Sequence, residues 1–320
     1  MFFKIDYILF FNKSLSNRFA LSINQKTNQF MKLHFKMLII LVLTTTFTFA
    51  QDNSTQYEKR SYTTKPVADN ESPTIDGVLD EAAWNLVEWT TDYLEFQPDV
   101  GTAPSEQTKM KIIYDDKNLY VAFKCYQEDP STIEKRMGRR DSFSGDWVEI
   151  NIDSYNDDRT AFSFTASVSG VKGDEFVSDN GNFDTSWNPI WYLATKIDDD
   201  GWTAEIRIPL SQLRFGNEQE QVWGLQSTRR YFNNEERSVW QPLPANPPGW
   251  VSEFGELRGL IGLKPQKQLE IQPYTVAQLD TYEAQAGNPF RDGIDAKITG
   301  GLDAKIGITN DLTLDLTINP

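Results

Sequence analysis

The sequence predicts an all-β protein, in which an antiparallel β-sandwich is followed by the first strands of a truncated β-barrel. Between about 66 and 264, short runs of β-branched and aromatic residues alternate with turn-forming stretches such as 115–118 and 198–201. The segment 267–320 contains no tryptophan and ends in strict alternation of apolar and polar residues. Both patterns are typical of strands joined by tight turns, so we expect little helix.

The beginning of the chain has the pattern of a secretory signal peptide. An apolar run over 37–49 is preceded by Lys32 and Lys36 and followed by a small residue, and it is short for a membrane span. The signal peptide is therefore placed at 31–50, and 1–30 is an upstream extension, with a second apolar anchor as the alternative. A buried core helix is the alternative, but no helical periodicity continues after the run. The mature protein is expected to leave the cytoplasm.

The composition excludes several classes of function. The chain has 320 residues with 46 Asp+Glu and 31 Lys+Arg, and its net charge of -15 argues against nucleic acid as a partner. Its one histidine, His34, lies in the leader. The exported part would therefore lack the imidazole on which Ser-His-Asp catalysis and many zinc sites depend. Cys125 lies in an apolar run and is predicted to be a strand residue, not a reactive thiol.

Seven runs are predicted as strands. They cover residues 108–114, 119–126, 147–153, 161–168, 191–197, 202–208 and 222–231. Short helical turns are expected after Asp80 and after Pro209. The predicted sandwich domain spans 66–264, with a linker over 51–65 and the start of a barrel domain over 265–320.

The last predicted strand has a clear two-residue period. Leu312, Leu314, Leu316 and Ile318 would share one face, and the polar residues between them the other. In an exported protein this alternation is typical of transmembrane barrel strands, and the alternative is an ordinary hairpin packed on the sandwich. A few strands cannot close a barrel, so the barrel hypothesis implies a fragment.

Tryptophan is concentrated in the predicted sandwich. All nine tryptophans lie between positions 84 and 250, and most are expected in the core. Trp250 differs, because it follows Pro247-Pro248-Gly249 in a predicted exposed loop. An indole face suits the apolar face of a pyranose ring, so Trp250 is a candidate sugar contact.

Four segments together resemble the family 9 carbohydrate-binding module. They are 74–84, 114–121, 145–153 and 202–209, and the resemblance covers roughly 66–264. It implies a β-sandwich that binds sugar without catalysis. The tail from Gly300 is similar to the start of the outer-membrane barrel that follows such a module in a group of Bacteroidetes proteins.

The resemblance also implies site residues. Sugar-binding members hold the end of an oligosaccharide or polysaccharide between two aromatic side chains, which match Trp250 and Phe143 here, although Phe143 stands where tryptophan is expected. Glu149 and Asp129 match the acids that hydrogen-bond the sugar hydroxyls. A basic ligand contact expected on the next strand is missing, and the stretch 162–165 offers hydroxyls instead.

Calcium is the one metal that the sequence and the resemblance suggest. Asp153, Asp157 and Asp158, with Asn156 between them, place four oxygen donors in six residues, and hard oxygen ligands suit calcium. The spacing is not that of an EF-hand, and the alternative is that these residues form a turn.

The sequence and the resemblance together predict carbohydrate binding by a non-catalytic module in an exported outer-membrane protein linked to glycan uptake or carbohydrate catabolism. Two alternatives remain. One is a structural gate or docking domain of the barrel without sugar binding. The other is an activity associated with a glycoside hydrolase, which would need two acids held across a cleft; with so many acids in the chain, chance pairs carry little weight.

Overall fold

A computed structural model describes residues 57–142, 144–309 and 312–319. The predicted extension 1–30 and signal peptide 31–50 lie outside the described residues. The strands in chain order are β1 (Ser61–Thr63), β2 (Lys65–Pro66), β3 (Leu94–Gln97), β4 (Thr108–Tyr114), β5 (Asn118–Tyr126), β6 (Trp147–Asp153), β7 (Ala161–Ser167), β8 (Lys172–Ser178), β9 (Asn182–Asp184), β10 (Tyr192–Asp198), β11 (Gly201–Pro209), β12 (Glu220–Tyr231), β13 (Glu236–Val239), β14 (Gly255–Ile261), β15 (Leu269–Thr281), β16 (Ile294–Gly307) and β17 (Thr313–Ile318).

Helix is limited to single 3-10 turns in the part of the chain that the structure describes. Two of them, Ala82–Leu86 and Leu210–Gln212, lie where the sequence predicts short helical turns. Neither has a side-chain cap on its first turn, and neither is long enough to become an α-helix. No described helix has the length and hydropathy that a bilayer crossing needs.

Two sheets form the sandwich. The larger has the strand order β1-β14-β12-β6-β7-β8-β9, with β13 and β3 attached beside β12, and the smaller has the order β10-β11-β5-β4-β2. Neighbouring strands are antiparallel except for two short parallel pairs, β1 with β14 and β2 with β4. One hydrophobic core joins both sheets, so the predicted all-β sandwich is confirmed.

The core is rich in aromatic side chains. Trp202 of the smaller sheet and Trp223 of the larger are completely buried, as are Phe123 and Phe164. Complete burial of a phenylalanine contributes about 1.5–3 kcal/mol relative to exposure. Cys125 is also buried in this core, which confirms that it is a strand residue.

The sandwich begins before residue 66. Ser61–Thr63, inside the segment predicted as a linker, forms strand β1, and Tyr62 is buried against the core. This strand has only three residues and pairs with a strand about two hundred residues away. The sequence around it therefore contains no local pattern that predicts a strand. The described part of 51–65 therefore belongs to the sandwich.

A third sheet follows the sandwich. It has the order β15-β16-β17, and its register places apolar residues of all three strands on one face. Leu314, Leu316 and Ile318 lie on that face, which confirms the predicted alternation in β17. The face includes exposed side chains from every strand, among them Leu269 and Ile298. We call it the apolar face of the third sheet; the opposite face carries mainly polar residues. Residues 310 and 311, between β16 and β17, lie outside the described residues.

Candidate functional site

Strand β6 presents different chemistry on its two sides. Val148, Ile150 and Ile152 point into the core between the sheets. By the two-residue period of a strand, Glu149 and Asn151 lie on the opposite face. Glu149, predicted as a sugar contact, is therefore placed on the outer side of the larger sheet.

The neighbouring strands extend this polar surface. Their register with β6 places polar residues beside it on both sides. We call this surface the polar face, and it consists of Trp147, Glu149 and Asn151 of β6, Ser163 and Thr165 of β7, Glu175 of β8, Gln226, Thr228 and Arg230 of β12, and Arg237 of β13.

Glu149 is at the centre of the polar face and is held by two neighbours. Asn151 Nδ2 donates to its Oε1 at 2.6 Å, and Thr165 Oγ1 donates to its Oε2 at 3.0 Å. Glu175 lies on the same face, and burial, followed by the charge of Glu149, raises the pKa of Glu175 to about 6. These two carboxylates can accept hydrogen bonds from ligand hydroxyls.

Several polar atoms of this face lack a hydrogen-bond partner among the described residues. They are Asn151 Oδ1, Ser163 Oγ and Thr228 Oγ1, together with Arg237 Nε and Trp250 Nε1 at the edges. Asn151 and Ser163 are completely buried, and Thr228 is 1% exposed. A buried polar group without a partner costs about 1–3 kcal/mol. Such atoms on one surface indicate a place for a polar ligand.

Gln226, two residues from Thr228 on the same face of β12, differs because its side chain has hydrogen-bond partners. Gln226 accepts from Gln241 N and donates to Gln241 O, each at 2.9 Å, so its amide is satisfied by the segment that follows β13. Away from the edges of the face, the unpartnered atoms are therefore those of Asn151, Ser163 and Thr228.

The basic residues of this face lie on β12 and β13. The family resemblance implies a basic residue on the strand after β6, but that strand, β7, supplies hydroxyls there. Arg230 of β12 and Arg237 of β13 lie on the other side of β6, opposite each other in register. The Arg237 guanidinium lies 5.4 Å from the centroid of the Trp147 ring, a cation–π contact at the edge of the face.

Trp250 is partly buried and not the exposed loop residue that the sequence predicts. Its ring packs edge-on against Phe254 at 5.8 Å and contacts a small cluster with Ala161 and Val177. Asn180 accepts from its backbone N–H. Ala161 and Val177 lie two residues from Ser163 and Glu175, on the same side of their strands, so Trp250 lies at one end of the polar face.

Of the other two predicted sugar contacts, Asp129 is not among the residues of the polar face. Phe143 lies outside the described residues. Asp129 is exposed at the start of the 3-10 turn Pro130–Thr132, where it accepts from Ser131 N at 3.0 Å and Ser131 Oγ at 2.6 Å. These hydrogen bonds lower the pKa of Asp129. Their geometry is that of a turn cap.

The candidate calcium residues also act as caps. Asp153 accepts from the backbone N–H groups of Asp157 and Asp158, and Asp157 in turn accepts from Arg159 N and Thr160 N. The residues do not converge on one point, and the described residues contain no group of three or more potential metal ligands. The arrangement fits the turn alternative better than an ion cage, and structural calcium stays a prediction.

Sequence reasoning singled out Glu149 and the hydroxyls of 162–165, but not Asn151 or Thr228. Asn151, Ser163, Thr165 and Thr228 alternate with core residues inside strands that were predicted, so their common side follows from the two-residue period. That these strands are adjacent depends on pairings such as β6 with β12, which bring together positions far apart in the chain.

Comparison with known proteins supports the fold and the family. A model of the carbohydrate family 9 binding domain-like family matches residues 75–239. A candidate carbohydrate-binding protein from Bacteroides uniformis ATCC 8492 is 14% identical, with a TM-score of 0.52 over 63% of this chain and 99% of that chain. A family 9 carbohydrate-binding module from Caldicellulosiruptor kristjanssonii in complex with glucose is 20% identical, with a TM-score of 0.46 over 65% of this chain and 97% of that one. No curated protein sequence matches. The family match spans more than half of the chain, which therefore belongs to the carbohydrate family 9 binding domain-like family.

Proposed function

We propose that the polar face binds the end of a carbohydrate chain and that the protein acts on this ligand only by binding it. The observation that carries the proposal is the group of buried, unpartnered atoms on Asn151, Ser163 and Thr228. Membership of a carbohydrate-binding family supports the same ligand class.

Sugar chemistry matches the donors and acceptors of this face. A sugar hydroxyl both donates and accepts, so one ligand can donate to Asn151 Oδ1 and Glu149 while it accepts from Ser163 and Thr228. The partly buried rings of Trp147 and Trp250 lie at the edges, where an apolar sugar face can pack. No reaction is needed to account for these groups.

Thr228→Val tests the proposal because it removes one unpartnered oxygen and conserves the shape of the side chain. We expect saturable binding in isothermal titration of the full chain with glucose, cellotriose or another soluble oligosaccharide. The variant should bind the same ligand about 10-fold more weakly, the equivalent of one hydrogen bond. The free energy of unfolding should not fall, because the lost hydroxyl makes no internal hydrogen bond among the described residues.

Thr203→Val is the matched control. Thr203 lies on β11 of the smaller sheet, away from the polar face, and its hydroxyl donates to Gly77 O. It should lower stability and leave affinity unchanged. Absence of saturable heat across a broad glycan panel would reject carbohydrate binding. Release of reducing sugar by the purified chain would instead support the alternative of a hydrolase-associated activity.

We further propose that the protein is exported and that the third sheet holds it at the outer membrane, where binding would serve glycan uptake or carbohydrate catabolism. Its apolar face runs the length of β15 and β16, which have 13 and 14 residues. A tilted membrane strand needs about 9–11 residues. The opposite face carries charges such as Asp303 and Lys305. An open sheet edge is unfavourable in lipid, so this proposal requires additional strands as partners.

Membrane association can be tested by fractionating Gram-negative cells that express the full chain. We expect the protein in the outer-membrane fraction. The pair Ile298→Lys and Leu316→Lys, on the apolar face, should move it to the periplasm, because lysine at the centre of the hydrocarbon costs about 2–4 kcal/mol per residue. Thr299→Lys and Thr317→Lys, on the opposite face, are matched controls and should not. A periplasmic wild-type chain would contradict membrane attachment. Membrane attachment without glycan binding would favour the gate or docking alternative.

A further inference from the structure

A second cleft is lined by residues of both sheets, none of which belongs to the polar face. Its volume is about 540 Å³, within the range of small-ligand sites. Strands β5, β8, β10 and β11 and the segment before the first tryptophan line it. The lining residues are Ser72, Pro73, Thr74, Ile75, Tyr120, Lys172, Tyr192, Leu193 and Arg207.

Two cations and no acid are among these lining residues. Arg207 of β11 is opposite Tyr192 of β10 in register, and its guanidinium lies 3.9 Å from the centroid of the tyrosine ring. Lys172 Nζ lies 5.9 Å from the same centroid. Both cations therefore contact one ring, which holds them near each other in a protein with a net charge of -15.

Two carboxylates beside the cleft already accept hydrogen bonds from other groups. Asp115 behind the cleft accepts from Ser72 Oγ at 2.9 Å and from Tyr120 Oη at 2.7 Å. Asp174 is paired with Arg140 and accepts from Trp191 Nε1.

Glu205, two residues from Arg207 on the same side of β11, accepts from Asp76 N, Gly77 N and Trp84 Nε1. Its carboxylate is therefore committed to the segment that covers the sheet and is not an ion-pair partner of Arg207.

The cations themselves have unused hydrogen-bonding capacity. Arg207 Nε is buried and has no hydrogen-bond partner among the described residues, and no described carboxylate lies within ion-pair distance of this guanidinium. Lys172 Nζ donates once, to Trp191 O at 2.5 Å, and has further donors. Burial and the charge of Arg140 lower the pKa of Lys172. A negatively charged group in the cleft could accept a hydrogen bond from Arg207 Nε, and its charge would offset the effects that lower the pKa of Lys172.

We propose that this cleft, with Arg207 and Lys172 as its cations, is a second ligand site that binds the carboxylate or sulfate group of an acidic sugar. A guanidinium fork matches the two oxygens of such a group, and an ammonium adds a point charge beside it. The cleft is larger than a bare oxyanion requires, so the ring that carries the charge has room. This site does not depend on carbohydrate binding at the polar face.

Isothermal titration of the full chain at low ionic strength tests the proposal, with glucuronate, glucose 6-sulfate and inorganic sulfate as probes. We expect saturable binding of at least one acidic sugar, weakened at least 10-fold by Arg207→Gln and by Lys172→Gln. Arg207→Lys should retain part of the affinity, because it keeps the charge and loses the fork. Added NaCl should weaken binding, since the contact is electrostatic.

Lys196→Gln is the matched control, an exposed cation on the same strand as Tyr192 and outside the cleft lining. It should leave the affinity unchanged, as should Thr228→Val on the polar face. Equal binding of inorganic sulfate and the acidic sugars would support the oxyanion site and show that the sugar ring adds nothing. No saturable heat with any of the three anions, or equal losses in Lys196→Gln and Arg207→Gln, would overturn the proposal. Melting temperatures of the variants identify any that fail to fold, and Lys172→Gln then carries the test.

Discussion

Glu205→Ala is expected to lower the free energy of unfolding by about 3 kcal/mol at pH 8, since each unsatisfied buried donor costs about 1–3 kcal/mol and local relaxation recovers part of the sum. Glu205 is completely buried. Its Oε2 accepts from Asp76 N at 3.0 Å and Gly77 N at 2.8 Å, and its Oε1 accepts from Trp84 Nε1 at 3.2 Å. Alanine would leave these three donors without an acceptor and loosen the segment that covers the smaller sheet.

The same substitution should change how stability depends on pH. Burial is the largest effect on the pKa of Glu205 and raises it from an ordinary 4.5 to about 7, with a further increase from the charge of Glu81. The folded protein therefore binds this proton more tightly than the unfolded chain. The resulting stability is fully present below pH 4.5 and is lost as the pH rises to about 7, on the order of 3 kcal/mol in total.

Chemical denaturation of wild type and Glu205→Ala from pH 4.5 to 8 measures both effects. The difference in unfolding free energy should be largest near pH 4.5 and should decrease toward pH 8. Glu128→Ala, an exposed acid, is the control and should show little difference at any pH. A difference for Glu205→Ala that is below about 1 kcal/mol would mean that relaxation satisfies the donors.

Gly201→Ala is expected to lower the free energy of unfolding as much as Glu205→Ala does at pH 8, because the position has no room for a side chain. Gly201 begins β11 with a φ of +137°, and a Cβ there would lie 2.1 Å from Cys125 O and 2.9 Å from Gln127 N. Both obstacles are backbone atoms of the β5 region and cannot rotate away. We expect a loss of about 3 kcal/mol from overpacking and backbone strain together.

Gly170→Ala separates these two causes. Gly170 also has a positive φ, +76°, but its nearest neighbour would be Thr195 Oγ1 at 3.8 Å, so only the conformational cost of about 1–2 kcal/mol applies. Thermal and urea unfolding of the two variants should show the larger loss for Gly201→Ala. Equal losses would show that steric overlap contributes nothing at Gly201.

Much of the strand content follows from the sequence because its signals are local. β4 and β6 begin and end at the predicted residues, since β-branched and aromatic runs are bounded there by turn-forming residues. Predicted strands such as 222–231 differ from the structure by one or two residues, where pairing with neighbours extends the ladder beyond the run. Short strands such as β1 depend on distant partners and could not be predicted.

The candidate site is less predictable because it combines distant segments. Glu149 was identified from a motif, but its neighbour Thr228 is brought to it by the β6–β12 pairing. The partial burial of Trp250 depends on contacts with Val177 and Phe254, whereas its local sequence is that of an exposed loop. Arg237 reaches the polar face through a hairpin whose register no local pattern specifies.

The parallel pairing of β1 with β14 determines how the sandwich would respond to a pulling force. Arg60 O accepts from Glu256 N at 2.8 Å, and Thr64 N donates to Arg258 O at 2.9 Å, so hydrogen bonds bracket the short pair. Tension between the chain before β1 and the chain after β14 would act along both strands in opposite directions. That geometry loads the hydrogen bonds together as a shear clamp instead of opening them one at a time. If the third sheet is anchored and the other end of the chain is pulled, this three-residue strand is the element that resists first.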